Sequence, residues 1–173
     1  MCSLERFKID LKALKSELTA FEWDLDKSYF EALDENEVES GALHVSLSIR
    51  KASGFFELQF HIVGTVDIAC DRCLDLMEQP IETDNCLVVK FGSTRSEDDD
   101  TVTVDENEGI LDTSWYIYEF IALAIPIQHV HATGKCNPAM TKALEELSAD
   151  RSGDEESSQT IDPRWEKLKN LKV

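Results

Sequence analysis

Between Val38 and Ala69 apolar side chains recur at every second position, a period that only a sheet with one dry face can satisfy. Leu43, Val45, Leu47 and Ile49 alternate with polar residues over Val38–Arg50. After Ala52-Ser53-Gly54 the pattern resumes over Phe55–Ala69 through Phe56, Leu58, Phe60, Ile62, Val66 and Ile68. A connection this short predicts an antiparallel hairpin. Gly64 interrupts the second run, which marks either a bulge or a place where two backbones come too close for a Cβ. Phe21, Trp23 and Leu25, set against Glu22, Asp24 and Asp26, predict a further strand over Thr19–Asp26. Ile81, Leu87, Val88 and Val89 place another over Met77–Phe91, and Thr101–Val104 is expected as a short edge strand. The stretches 34–37 and 93–100 are expected as a turn and an acidic loop.

Elsewhere the period is helical. Leu4, Phe7, Leu11 and Leu14, with lysines between them, predict a short amphipathic helix or an ordered basic arm. Ser28–Leu33 is long enough for one or two helical turns. Asp112 is an expected N-cap for a helix that places Trp115, Tyr118, Ile121, Ala122 and Ile125 on one face and ends at Pro126. Pro138 suits the first position of a second helix over Asn137–Leu147. The fold class is therefore α+β: an antiparallel sheet or partly open barrel of four to six strands, with short helices packed on it. Residues 1–147 are expected to form a single domain. Residues 148–160, acidic and without an aliphatic anchor beyond Ala149, have the composition of a disordered linker. Residues 161–173 form a basic tail with Trp165, Leu168 and Leu171 at helical spacing.

Charge narrows the range of partners. The formal net charge is −18 over 173 residues, and such a chain repels phosphate backbones on average. Its cations gather at the ends. Residues 1–16 carry Arg6, Lys8, Lys12 and Lys15 against Glu5 and Asp10, and residues 161–173 carry Arg164, Lys167, Lys169 and Lys172 against Asp162 and Glu166. Each end is thus +2 and the body between them −22. A basic partner suits the body, although an acidic surface also serves solubility alone. Arg164, Trp165, Lys167 and Lys169 are candidates for contact with RNA or a partner, by phosphate pairing or base stacking; Trp165 could equally dock on the body. No apolar run approaches the roughly 18 residues that span a bilayer, and the first residues lack the pattern of a secretory signal. A cytoplasmic chain is expected, and five cysteines there read as thiols rather than as a disulfide framework.

Two of those thiols stand out. Cys70 and Cys73 flank a turn directly after a strand, a spacing that lets both sulfurs face one zinc ion. A tetrahedral ion needs two more ligands, and Cys136, His129 and His131 share one later loop. The alternative is that the cysteines only pack at a strand end. Redox catalysis would need the pair at a helix N-terminus, whereas here it joins two strands beside Asp71 and Asp75, with Arg72 as the local cation. No nucleophile-elbow, zinc-protease or phosphate-loop motif is present, and His44 and His61 fall within alternating strands. An enzyme is not expected, and no small-molecule substrate is indicated.

The order of these features resembles the YceD family: an alternating hairpin, Cys70-Asp71-Arg72-Cys73-Leu74, a further strand, a helix ending in proline, a loop with a cysteine, an acidic linker and a closing Asp162-Pro163-Arg164-Trp165 with a basic-apolar end. The resemblance covers nearly the whole chain and carries Cys70, Arg72, Cys73 and Leu74 across as the family motif. It implies a non-catalytic factor in large-subunit ribosome assembly or 23S ribosomal RNA accumulation, with a large-subunit ribosomal protein or precursor ribosomal RNA as partner. Members often carry a second cysteine pair after the helix. Here Cys136 is followed at the matching position by Ala139, so His129 and His131 are the candidates to complete a zinc site. The competing reading is a zinc-stabilised interaction module unrelated to ribosomes.

Overall fold

The computed structural model describes residues 4–33, 38–92 and 101–148. The linker after Ser148, the basic tail with Arg164, Trp165, Lys167 and Lys169, the turn at 34–37 and the acidic loop at 93–100 lie outside the described residues. The elements run β1 (Lys8–Asp10), β2 (Leu18–Leu25), α1 (Lys27–Leu33), β3 (Ser40–Ala52), β4 (Phe55–Ala69), β5 (Leu76–Phe91), β6 (Thr101–Val104), β7 (Ile110–Asp112), α2 (Ser114–Ala124) and α3 (Pro138–Leu147).

The fold is α+β. A five-stranded sheet has the order β2-β3-β4-β5-β6, and β1 pairs with β7 in a separate two-stranded sheet. The large sheet stays open and does not close into a barrel. All its pairings are antiparallel except that of β5 with β6, which is parallel. The expected edge strand is thus present but runs in the direction that alternation alone does not specify.

Period two produces one dry face. Val45, Leu47, Ile49, Leu58, Phe60 and Ile62 are buried in register across β3 and β4. Phe30 of α1 reaches over Gly41, and Phe120 of α2 meets Phe60 edge-on at 5.2 Å. Phe7 packs against Trp23 and Tyr29, whose hydroxyl donates to the Ser114 carbonyl at 2.7 Å. Thr113 ties the N-terminal segment to α2, its N–H and its hydroxyl both donating to the Phe7 carbonyl. The opposite face of the sheet is left to water: Glu22, Asp24, His61, Glu78, Glu82 and Asp84 are all exposed.

Four local expectations need correction. Residues 4–15 form a single 3-10 turn, Leu4–Phe7, followed by strand β1 rather than an amphipathic helix. Phe7, Ile9 and Leu11 are the buried residues, a period-two set that pairing with β7 makes decisive. In α2 the buried face is Ser114, Ile117, Tyr118 and Ile121, whereas Trp115 remains 48% exposed. Asp112 does not take the N-cap position, which Thr113 occupies, but its carboxylate accepts from both the N–H and the hydroxyl of Ser114 and so satisfies the first turn. Finally, α3 buries no residue, so it is not packed on the sheet as expected; Asn137 caps it by accepting from the Ala139 N–H.

Gly64 marks a close approach and not a bulge, because the β3–β4 register runs unbroken through Leu43 and Gly64. A Cβ there would stand 2.2 Å from the Ala42 carbonyl oxygen. Gly64→Ala is expected to lower stability by about 3 kcal/mol, since backbone has to move on both strands. At Gly54, in the β3–β4 turn with φ 94°, a Cβ meets nothing within 4 Å. Gly54→Ala is expected to cost about 1 kcal/mol, from backbone strain alone. Chemical denaturation of the two variants checks the ranking.

Candidate metal centre

Strands β4 and β5 do not meet in an ordinary hairpin. The last pair is Ala69 with Leu76, and residues 70–75 form a tight knuckle between them. The Cys70 N–H donates to the Asp75 carbonyl and the Leu74 N–H to the Cys70 carbonyl, each at 2.9 Å. This closes the turn with Cys70 and Cys73 buried on its inner side. Leu74 follows at φ 62°, a left-handed conformation that is uncommon for a bulky side chain, and is 69% exposed.

The segment after α2 folds back over the knuckle. The Asp71 N–H donates to the His129 carbonyl at 3.0 Å, and the His129 N–H returns to the Asp71 carboxylate at 2.8 Å. Two residues on, the His131 N–H points at Cys70 Sγ (3.4 Å), and its Nδ1 lies 3.3 Å from Cys73 Sγ. Asn137 reaches back to the Asp75 carboxylate at 3.1 Å and holds Cys136 beside the turn. One ligand atom from each of Cys70, Cys73, His131 and Cys136 then lies within 4.8 Å of the others.

These four could hold a metal ion. Zinc–sulfur bonds of about 2.3 Å in a tetrahedron put ligand atoms about 3.8 Å apart, so the span observed needs little adjustment. His129 does not join them. Both of its ring nitrogens are engaged, Nδ1 at 3.0 Å from the Pro126 carbonyl and Nε2 at 3.3 Å from the Asp71 carboxylate. It orients the loop, while His131 is the histidine brought to the three cysteines. Arg72 is exposed and lines a cleft of about 260 Å³ with His131, Cys136, Thr141 and Lys142.

Electrostatics at the cluster favour a cation. Burial pushes the Cys70 thiol up, but hydrogen bonds from the N–H groups of His131, Cys73 and Arg72, and from the His131 ring, outweigh it and bring the thiol down to about 6. Asp71 and Asp75 beside the pair would oppose a thiolate, but the backbone donors, which no sequence pattern displays, outweigh them. Burial, followed by the sulfurs of Cys70 and Cys73, pushes the Cys136 thiol up. The Cys70 thiolate thus stands beside a Cys136 thiol held toward its protonated form, and a bound dication would reverse that penalty.

In metal-free protein the Cys70 thiolate contributes stability that is fully present above its unfolded value of 9.0 and is lost as pH falls through about 6. The thiolate absorbance of chelator-treated protein is expected to show a transition with a midpoint near 6, absent in Cys70→Ser. A midpoint near the ordinary thiol value would contradict the hydrogen-bond account.

Comparison with known proteins identifies a family. A family model described as the large ribosomal RNA subunit accumulation protein YceD matches residues 58–172, a stretch that holds most of β4, the knuckle and all four clustered residues. No curated protein and no solved structure matches the chain. With the greater part of its length matched, the chain belongs to the YceD family of large ribosomal RNA subunit accumulation proteins.

Proposed function

We propose that this chain is a non-catalytic, zinc-stabilised factor that supports large-subunit assembly by presenting its acidic body to a basic ribosomal protein. Family membership implies a role in accumulation of the large-subunit ribosomal RNA. The observation that carries the finer reading is the uncovered face of the sheet. Glu22, Asp24, Glu57, Asp67, Glu78, Glu82 and Asp84 point outward there, against Arg50, Lys90 and two histidines, His44 and His61, which meet Asp24 and Asp84 at 2.8 Å. Arg50 is already paired with Glu57. Such a surface attracts a polycation and repels RNA phosphates. It would shield a basic protein before that protein meets its RNA.

Zinc is the ion whose chemistry suits three thiols and one imidazole in a closed site, and its role in this reading is to hold the knuckle and the α2–α3 segment together. The cations Arg164, Trp165's neighbour in the tail, together with Lys167 and Lys169, are the groups available for an RNA phosphate, with Trp165 available for stacking. The net +2 of residues 161–173 is small beside the −22 of the body, so protein contact is the preferred route.

Two outcomes test the reading. Purified protein is expected to carry one zinc ion per chain by elemental analysis, retained in His129→Ala and lost in His131→Ala and Cys136→Ser. Loss in His129→Ala alone would contradict the ligand assignment. The tagged protein is expected to bind a basic large-subunit protein, with affinity falling at least about tenfold as salt rises from low to physiological strength. Binding that is indifferent to salt, or directed to RNA alone, would count against the acidic face.

A further inference from the structure

Leu74 is unfavourable for the isolated chain twice over. Its left-handed backbone costs energy that glycine would not incur, and 69% of its side chain lies in water. It lines a cleft of about 210 Å³ together with Ile68, Ala69, Cys70, Asp71, Ile125 and His129. Across the final β4–β5 pair stands Leu76, 53% exposed and directed to the same outer face as Ala69. Beyond Leu76 the outward residues of β5 turn acidic at Glu78, Glu82 and Asp84. Asp84 meets His61 at 2.8 Å, whereas Glu78 and Glu82 have no ion-pair partner among the described residues.

We propose that the cleft beside Leu74 seats an apolar side chain of a basic polypeptide, whose following cations lie along Glu78, Glu82 and Asp84. The inference rests on the proposed acidic-face function and adds where that contact is anchored and what it recognises. An apolar anchor gives a slow dissociation rate, and the carboxylates steer the approach and set its direction along β5. The row from Leu76 to Asp84 spans eight residue steps, about 26 Å at the usual strand rise, so the segment bound is short and extended. Polypeptide fits this surface better than RNA, since the flanking groups are carboxylates that repel phosphate and the ring lining the cleft, that of His129, is already engaged by the Pro126 carbonyl and the Asp71 carboxylate. The knuckle holds Leu74 in place through the hydrogen bond between its N–H and the Cys70 carbonyl, which links the docking point to the metal cluster.

The test uses the full chain and the protein fraction extracted from purified large ribosomal subunits, with the bound protein identified by mass spectrometry and then purified. Leu74→Gly suits the backbone at that position, so melting temperature and metal content are expected to stay at wild-type values while dissociation speeds up at least about tenfold. The double variant Glu78→Lys, Glu82→Lys is expected to slow association and flatten its salt dependence, again with metal retained. If the wild-type chain binds a basic protein and both variants bind it equally well, this site is overturned while the acidic-face function survives. If the wild-type chain binds none, both readings fall. A photo-reactive group in place of Thr65, which is exposed opposite Pro80, is expected to cross-link that basic protein. Cross-links instead to RNA, to a second copy or to residues 161–173 of the same chain would overturn the proposed occupant.

Discussion

The structure depends on burying a single face of a sheet. Alternation along β2, β3, β4 and β5 drives one set of side chains under α1, α2 and the β1–β7 pair, and full burial of residues such as Leu58, Phe60 and Ile62 contributes about 1.5–3 kcal/mol each. A one-residue slip would exchange the two faces, so the same pattern that builds the core also fixes which residues meet solvent. The acidic outer face is thus held in register by the apolar inner one. A core substitution and a surface-charge substitution act on one object from opposite sides.

The end of the sheet needs a second device. Where β4 passes to β5 there is too little apolar surface to close the turn, and α3 brings none, having no buried residue. Backbone hydrogen bonds across Asp71 and His129, the Asn137–Asp75 contact and the thiol cluster do the work instead. In the cluster the Cys70 and Cys136 thiols are shifted in opposite directions, and a dication, if bound, would relieve the penalty on the second. The knuckle then presents Leu74 outward in a conformation that the fold alone does not reward.

Much of this was legible in the sequence. The β3–β4 hairpin, the strand after the cysteine pair and Pro138 at the start of α3 follow from period, turn residues and capping, all of which act over a few neighbours. Legibility failed where tertiary pairing decided. Phe7, Ile9 and Leu11 could be read in a helical or a strand period, and only pairing of β1 with β7 selects the strand. Trp115 has the hydrophobicity of a core residue, yet the smaller Ile117 takes the buried position because α2 lies close to β5. His129 and His131 are equivalent on paper, and the choice between them is made by Pro126 and Asp71, which occupy the ring of the first. The direction of β6 is equally a matter of pairing.

The central claim is that the uncovered acidic face serves accumulation of the large-subunit RNA. Its most direct test is the ratio of large- to small-subunit ribosomal RNA in cells lacking the protein, after return of either the native chain or one with Glu22, Asp24, Glu82 and Asp84 changed to the corresponding amides. The account predicts that the native chain restores the ratio and that the neutralised chain, although folded and present at equal abundance, does not. Full restoration by the neutralised chain would contradict it.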